Sequence, residues 1–447
     1  MIADFIWPGA MLIALFVALF SGYAVGFALA GIGIIFAVVA DVPMVFLSMG
    51  VQRIYSGTLT NWLLAAVPLF IFMGLMLESS GIAERLMRSL AALAGRLPGG
   101  YAFAVAIIGV IMAASTGIIG ASVVLMGMMA LPAMRSAGYD MRMATGIVAA
   151  SGTLGILIPP SIMLIILGDQ LRVPIGDLFM GAIYPGLLLA GLYFLYIAVT
   201  AIFAPKRMPP PPQGDPAPKL RVVMSLIVDL VAPMLLILSV LGTIIAGVAT
   251  PTESAAIGAA GATLLALVSG KLSFASLKRA VFDTAKTTGM VAFVMIGATV
   301  FSLVFRKLGG DQMIEDLFNF GDVSPYVTLA VVMGLIFILG FFLDWIEISL
   351  VVVPIVAPIV ANLEFGHGLT PSQITLWFTI ALAVNLQTSF LTPPFGYALF
   401  YLRGVDTSIP IGTIYRGIVP FVIIQIVALI AVVAFPQLVL HLPGVMQ

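Results

Sequence analysis

Two stretches of similar sequence decide the fold: SGTLGILIPP at 151–160 and NLQTSFLTPP at 385–394, which begin 234 residues apart. Each places small polar residues in an otherwise apolar run and ends in a Pro-Pro pair. Proline lacks a backbone donor and clashes with the preceding helical turn, so each pair is expected to interrupt a helix. The chain is therefore predicted to contain two broken helices, one in each half.

The composition places these breaks in a membrane. The chain of 447 residues is 62% hydrophobic and 9% charged, with a mean hydropathy of +1.21, whereas soluble domains contain roughly 25% charged residues. At membrane depth, irregular backbone is tolerated only where protein buries it or where it lines a watery cavity. Matched breaks in two halves of a membrane chain are typical of a secondary transporter whose site lies near the midplane.

The same composition argues against other classes of function. The formal net charge is zero, so charge does not indicate a nucleic-acid partner. The chain has no cysteine and two histidines, His367 and His441, which excludes disulfides within the chain and histidine- or thiolate-based metal sites. The sequence contains no P-loop and no nucleophile–base motif, so neither an ATP-driven pump nor an enzyme is predicted.

Long apolar runs predict ten membrane spans of about 20 residues each. They lie at 9–21, 24–40, 61–79, 143–168, 180–203, 223–248, 254–270, 288–305, 375–402 and 417–439. The first two can also be interpreted as one long bent helix. Two further apolar stretches, 102–134 and 327–361, are too long for one helix and too short for two spans. Each is interrupted midway, so each is predicted to be a re-entrant helical hairpin whose polar tip reaches mid-membrane.

A Pro-rich segment at 204–221 divides the chain into two similar halves and is predicted to be an extended cytoplasmic connector. The first half, 1–203, contains scaffold spans (1–80), an amphipathic surface arm (81–100), the first hairpin (102–134), a broken helix (143–168) and a closing span (180–203). The second half, 222–447, contains scaffold spans (222–270), an arm (271–287), a span (288–305), the second hairpin (327–361), a broken helix (375–402) and a closing span (417–439). The predicted fold is thus an all-α polytopic membrane protein with an inverted repeat. Each arm can equally be interpreted as a plain interfacial connector.

The distribution of basic residues predicts the orientation. All but four of the 19 Lys and Arg residues fall on one side of the predicted spans, and the exceptions are Arg53, Arg172, Arg306 and Lys307. Because cytoplasmic loops carry the excess of positive charge, the richer side is predicted to be cytoplasmic. Both termini are then periplasmic, the first hairpin enters from the cytoplasm, and the second enters from outside.

Polar residues at the hairpin tips and helix breaks are the candidate functional residues. Ser115-Thr116-Gly117 at the first tip faces the first break, and hydroxyls and freed carbonyls there suit a small cation such as Na⁺, whereas tight helix packing is the alternative explanation. Asp344 at the second tip is a costly carboxylate in the membrane and hence a candidate for binding, although it can also cap the helix that starts at Trp345. Thr250-Pro251-Thr252-Glu253 has the pattern of an ordinary helix cap.

The first hairpin tip, the two Pro-Pro breaks and the segment Thr250-Pro251-Thr252-Glu253 together resemble the large membrane subunit of TRAP transporters, the DctM type. The resemblance covers essentially the whole chain. The resemblance implies an elevator-type importer in the bacterial inner membrane, driven by Na⁺ and acting on an organic acid. It also implies two protein partners, a periplasmic substrate-binding protein and a small four-helix membrane subunit, which is expected to be a separate polypeptide.

The resemblance also implies about two Na⁺ sites and a substrate site between the tips. The first Na⁺ site comprises Ser115, Thr116, Gly155, Ile158 and Pro160. The second comprises Gly340, Ser389, Thr392 and Phe395. The substrate is expected near Thr153, Asp344 and Asn385. Ile118 and Ile119 depart from the family's pattern at the first tip and suggest a more apolar wall around the substrate.

Two other hypotheses remain open from the sequence. One is a carboxylate symporter that needs no binding protein and is coupled to Na⁺ or, through Asp344, to protons. The other is a membrane enzyme or receptor, for which the paired breaks have no evident use.

Overall fold

The protein is built from helices in every segment that the structure, a computed structural model, describes. These segments are residues 5–95, 97–116, 119–211, 219–318, 323–366 and 368–446. They contain no strand, and eight of their helices are long and apolar enough to cross a membrane. The predicted all-α polytopic membrane fold is confirmed.

The first half forms the helices α1 (Ile6–Phe20), α2 (Val25–Val39), α3 (Met44–Ile54), α4 (Ala66–Ser79), α5 (Ile82–Ala94), α6 (Gly100–Thr116), α7 (Ile119–Ser136), α8 (Met141–Gly152), α9 (Ile162–Leu171) and α10 (Ile175–Phe203). A π-helical turn at Tyr55–Leu59 follows α3, and 3₁₀ turns lie at Trp62–Ala65 and Leu154–Ile156. Because α1 and α2 are separated by a turn at Gly22, the interpretation as one bent helix is wrong.

The second half forms α11 (Lys219–Ile245), α12 (Pro251–Val268), α13 (Phe274–Lys307), α14 (Gly310–Phe318), α15 (Pro325–Leu339), α16 (Trp345–Glu347), α17 (Val353–Ala361), α18 (Pro371–Leu391), α19 (Tyr397–Val405), α20 (Ile411–Ala434) and α21 (Gln437–Met446). A π-helical turn at Ile348–Val352 joins α16 to α17. In chain order, α4 and α5 precede the first hairpin, α6 and α7, just as α13 and α14 precede the second, α15 to α17.

The two halves are joined by two matching helix pairs, α2 with α13 and α4 with α12. At the first of these contacts a Cβ on Gly297 would lie 2.5 Å from the carbonyl oxygen of Gly26. Only glycine permits such an approach, and small residues at helix contacts replace the hydrophobic driving force that is absent in lipid. Each pair joins one helix of the first half to one helix of the second, in the reciprocal arrangement that an inverted repeat produces.

The second broken helix lies at the centre of the molecule. In the apolar window of α18 that could span the membrane, 94% of the residues are buried inside the protein. In the corresponding window of α11, on the periphery, 17% are buried. α8, the first segment of the other broken helix, is also buried along almost its whole length. The helices that lead into both breaks are thus buried in protein, where unsatisfied backbone groups can be tolerated, whereas Pro394 and Phe395 of the second break are exposed.

The second predicted arm is different in the structure. Residues 274–307 form one continuous helix, α13, so the boundary predicted between an arm at 271–287 and a span at 288–305 is absent. The element that corresponds to α5 by order is α14, which is short and amphipathic like α5. Lys and Arg at 271–286 suggested an interfacial segment, but nothing there interrupts the backbone hydrogen-bonding pattern of a helix.

Two other predicted segments also differ from the structure. The closing span at 417–439 is interrupted, because α20 ends at Ala434 and Pro436 separates it from α21. The connector at 204–221 is not extended throughout its described part, since Pro205–Arg207 form a 3₁₀ turn and α11 already begins at Lys219. Met208 is fully buried. The backbone N–H groups of Gly99 and Asp140 donate to the carbonyls of Met208 and Arg207, both at 2.9 Å. Residues 212–218 of the connector lie outside the described segments.

Candidate functional site

The first break lies between α8 and α9, and hydroxyl groups satisfy its freed carbonyls. The Thr153 hydroxyl donates to the carbonyl of Ala150 at 2.9 Å, and the Ser161 hydroxyl donates to that of Ile156 at 2.6 Å. The Pro159–Pro160 peptide bond is cis. Helix ends leave carbonyls without intrahelical partners, so these hydroxyls stabilise the break.

The first hairpin packs directly on this break through two glycines. A Cβ on Gly109 of α6 would lie 2.5 Å from the Ser151 Cβ, and a Cβ on Gly152 would lie 2.7 Å from a methyl carbon of Val123 on α7. The hairpin and the broken helix are therefore in backbone contact. The side chains of Ser115 and Thr116, and Gly117 as a whole, lie outside the described residues, so their predicted role stays a prediction.

The remaining members of the predicted first Na⁺ site lie in the break itself. Gly155 and Pro160 are buried and Ile158 is partly buried. The Ile158 side chain turns toward α10, where a Cβ on Gly186 would lie 3.1 Å from its Cγ1. Because the side chain is apolar and turned away, the backbone carbonyl is the part of Ile158 that could bind a cation.

The second break lies between α18 and α19 and repeats this arrangement. The hydroxyls of Ser389 and Thr392 donate to the carbonyls of Leu386 and Thr388, at 2.8 and 2.7 Å. The Pro393–Pro394 bond is also cis. The backbone N–H of Gly396 donates to the Thr392 carbonyl at 3.1 Å, closing a turn around the two prolines.

The tip of the second hairpin is seated against this break. A Cβ on Gly340, which ends α15, would lie 2.8 Å from the Ser389 Cβ, and its closest contact would be the Ser389 hydroxyl. The structure thus brings together Gly340 and Ser389, two members of the predicted second Na⁺ site, and Thr392 lies one turn beyond Ser389. Phe395 follows the prolines, and its ring contacts Phe342 of the tip, with centroids 5.0 Å apart.

Asp344 caps the short helix α16. Its carboxylate accepts a hydrogen bond from the backbone N–H of Trp345 at 2.8 Å, and its own N–H donates to the Glu347 carboxylate at 2.9 Å. This reciprocal pair is a capping box. The capping interpretation describes the observed contacts, and a substrate role for the second carboxylate oxygen stays a prediction.

Asn385 connects the broken helix to the hairpin. Its side-chain amide, which is 2% exposed, donates to the Met333 carbonyl on α15 at 2.8 Å. Each of the three predicted substrate residues, Thr153, Asp344 and Asn385, therefore has a partner within the chain. No hydrogen bond joins these three to one another in the described segments.

Sequence reasoning missed two tyrosines on α19. The Tyr397 hydroxyl donates to the Phe342 carbonyl at the second tip, at 2.8 Å. The Tyr401 ring covers Gly120, just beyond the first tip, where a Cβ would lie 2.9 Å from the ring. α19 thus reaches both hairpins. The sequence did contain a signal for them: two aromatic residues four apart follow the Pro-Pro break, and such a pair lies on one face of a helix.

Gln387 was among the polar residues predicted in the second break, but it was not assigned to an ion or substrate site. It occupies the position in the second break that Thr153 occupies in the first, and its side chain is fully buried. Neither its amide nitrogen nor its amide oxygen has a hydrogen-bond partner among the residues that the structure describes. Burying an amide without partners is unfavourable, so Gln387 is a group that requires a water or a ligand.

Comparisons with known proteins agree with this architecture. The family model described as "Tripartite ATP-independent periplasmic transporter, DctM component" matches residues 12–438. The chain belongs to this DctM family. Its relatives named below are permease subunits of transporters rather than enzymes.

Three relatives illustrate the range of the family. The C4-dicarboxylate TRAP transporter large permease protein DctM of Pseudomonas aeruginosa is 31% identical over 388 residues, 87% of each chain. The sialic acid TRAP transporter large permease protein SiaM of Vibrio cholerae is 29% identical and covers 95% of this chain and 96% of its own. The ectoine/5-hydroxyectoine TRAP transporter large permease protein UehC of Ruegeria pomeroyi is 32% identical, covering 85% of each.

Two solved structures share the fold. The YdaH transporter of Alcanivorax borkumensis superposes with a TM-score of 0.57 at 16% identity, covering 87% of this DctM-type chain and 88% of its own. MtrF of Neisseria gonorrhoeae superposes with a TM-score of 0.53 at 15% identity, covering 89% and 85%. At this identity the likeness concerns the fold alone.

Proposed function

We propose that this DctM-type permease is a Na⁺-coupled importer of a small organic acid, working by elevator-type movement of the hairpins and broken helices against a scaffold. The observation that carries the proposal is the seating of each hairpin on a Pro-Pro break, at Gly152 and Val123 in one half and at Gly340 and Ser389 in the other. Membership of the DctM family supports it, and the names of several relatives include organic acids.

The donor groups at both breaks suit Na⁺. They are hydroxyl and carbonyl oxygens, the ligands that hard cations prefer. A Cβ on Gly340 would meet the Ser389 side chain, so the tip and the break fit closely around this glycine. We therefore assign the second Na⁺ site to Gly340, Ser389, Thr392 and Phe395, and the first to the break at Gly155, Ile158 and Pro160 with the tip residues Ser115 and Thr116.

The substrate would lie between the tips, close to Thr153, Asp344 and Asn385. Thr153 and Asn385 have their hydrogen-bond donors engaged by carbonyls of the chain. We expect these two residues to shape the site, and the unpartnered Gln387 amide to provide a free donor and acceptor.

We further propose that the chain works in the bacterial inner membrane with both termini in the periplasm. A periplasmic substrate-binding protein would deliver the acid, and a small four-helix membrane subunit would extend the scaffold. The family to which the chain belongs is named as a tripartite periplasmic transporter, which supports the existence of two further components.

Uptake of radiolabelled organic acids into proteoliposomes tests the proposal. The vesicles contain the chain and its small subunit, with an imposed Na⁺ gradient and with or without the binding protein. Uptake that requires both Na⁺ and the binding protein is expected. Uptake driven equally by a proton gradient would refute Na⁺ coupling, and uptake without the binding protein would support the independent symporter.

A further inference from the structure

An aromatic pocket lies where α1 meets the second hairpin tip and the second break. Its volume is about 250 Å³, and its wall consists of six phenylalanines, two leucines and one tyrosine. α1 contributes Phe16 and Phe20 to one side. The tip contributes Phe342, and the break with the following helix contributes Phe395 and Phe400 to the other.

Ring contacts hold this wall in a defined shape. Phe20 and Phe342 meet edge to face, with centroids 5.0 Å apart and planes at 81°. Phe342 also contacts Phe395, with centroids 5.0 Å apart, and its carbonyl accepts the hydrogen bond from the Tyr397 hydroxyl. Edge-to-face pairs at this spacing are favourable, so the pocket is a built feature of the interface.

The pocket adjoins the groups assigned to ion and substrate binding. Phe395 forms part of its wall and belongs to the assigned second Na⁺ site. Leu343, also in the wall, directly precedes Asp344. A ligand with its polar end at the break would therefore have its other end against aromatic rings, which offer no partner to a second charge.

We propose that this pocket receives the apolar end of the transported acid, so that the carrier selects monocarboxylic acids bearing a phenyl-sized apolar group. The inference rests on the proposed function, because it places the carboxylate beside the assigned Na⁺ site. An apolar cavity of about 150 Å³ can hold a benzene molecule, so the pocket has room for such a group. Short acids leave it unfilled, and dicarboxylates bring a charge into it.

Equilibrium binding to the chain assembled with its small subunit in nanodiscs tests this inference. The probes are radiolabelled phenylacetate, acetate and malate, each measured with Na⁺ and with K⁺ in its place. We expect Na⁺-dependent binding in which phenylacetate binds at least tenfold more tightly than acetate or malate. Equal binding of the three acids, or tighter binding of malate, would overturn the pocket's role while leaving Na⁺-coupled acid transport intact. Absence of Na⁺-dependent binding of any acid would overturn both.

Two variants locate the preference in the pocket. Leu19→Trp fills the space and Phe342→Ala removes one wall, so each is expected to lower the preference for phenylacetate over acetate at least tenfold. Phe203→Ala is the control, because Phe203 is 82% exposed at the end of α10 and lies outside the pocket wall. A preference unchanged in both pocket variants would contradict the inference.

Two other possible occupants of the pocket, a lipid chain and the small subunit, are tested with variants of the same pocket residues. If the pocket holds a lipid chain, native mass spectrometry will find a phospholipid that Leu19→Trp loses and that phenylacetate does not displace. If it is a docking surface for the small subunit, a single cysteine introduced as Phe20→Cys will be labelled in the chain alone and protected in the complex. The chain has no native cysteine, so the labelling is unambiguous. Either result would overturn the inference.

Discussion

Gly340 is the residue whose replacement tests the second site most directly. Gly340→Ala places a methyl group against the Ser389 side chain, so the hairpin tip must move away from the break. Overpacking of this kind costs about 1–3 kcal/mol. We expect a lower melting temperature, measured by tryptophan fluorescence, and loss of Na⁺-dependent uptake.

A matched control lies on the same helix. A Cβ on Gly334 of α15 meets nothing within 4 Å, so Gly334→Ala is expected to keep stability and Na⁺-dependent uptake. Because alanine favours a helix interior over glycine, this variant should melt no lower than the wild type. Equal losses in both variants would show that α15 tolerates no substitution and would remove the argument for a specific cradle at Gly340.

Gln387 and Asn385 lie on one helix, and leucine substitutions are expected to have opposite effects on stability. Asn385→Leu removes the amide that donates to the Met333 carbonyl, and losing such a hydrogen bond costs about 0.5–1.5 kcal/mol. Gln387→Leu removes an amide that has no partner within the described segments, so stability should be unchanged or higher. Uptake should nevertheless fall in Gln387→Leu. Destabilisation by Gln387→Leu, with uptake retained per folded molecule, would contradict a ligand role.

The residue scale also shows what sequence could predict about the site. The position of both breaks follows from the Pro-Pro pairs and the interrupted apolar runs, whereas the association of the second tip with Ser389 was implied by the resemblance to the family. The internal partners of Thr153 and Asn385 could not be predicted, because a hydroxyl or amide in a break suits a ligand and a carbonyl equally well. Tyr397 and Tyr401 were missed because their relation to the tips depends on how α19 packs.

At the scale of elements, α12 begins with a cap that sequence identified. The Glu253 carboxylate accepts hydrogen bonds from the Thr250 backbone N–H and hydroxyl, both at 2.8 Å. We expect Thr250→Ala to cost about 1 kcal/mol of stability, since the capping hydroxyl is lost. Thr250→Ser should retain the cap and the wild-type melting temperature. A change in substrate preference or Na⁺ dependence in Thr250→Ala would contradict this purely structural role.

Element boundaries were predicted well where apolar runs end at turn residues and poorly elsewhere. Both hairpins and both breaks lie within a few residues of their predicted limits. The arm predicted at 271–287 merged with α13, because basic residues mark an interface without ending a helix. α14 was missed because the helix has only nine residues, and its helical periodicity therefore extends over little more than two turns.

For the whole molecule, elevator-type movement predicts that α1 and the second hairpin change partners during transport. Phe20 and Phe342 lie on opposite sides of this boundary, with ring centroids 5.0 Å apart. We expect the double variant Phe20→Cys with Phe342→Cys to be cross-linked by Hg²⁺ or a short bifunctional reagent. Cross-linking should stop uptake, and removal of the link by excess thiol should restore it.

The scaffold offers the matched control for this experiment. Phe27 on α2 and Phe293 on α13 have ring centroids 4.6 Å apart, and both belong to one of the two helix pairs that join the halves. Because the elevator model moves neither helix relative to the other, cross-linking Phe27→Cys to Phe293→Cys should leave uptake unchanged. Uptake that persists with Phe20→Cys linked to Phe342→Cys would refute the movement, since the tip would then carry substrate without leaving α1.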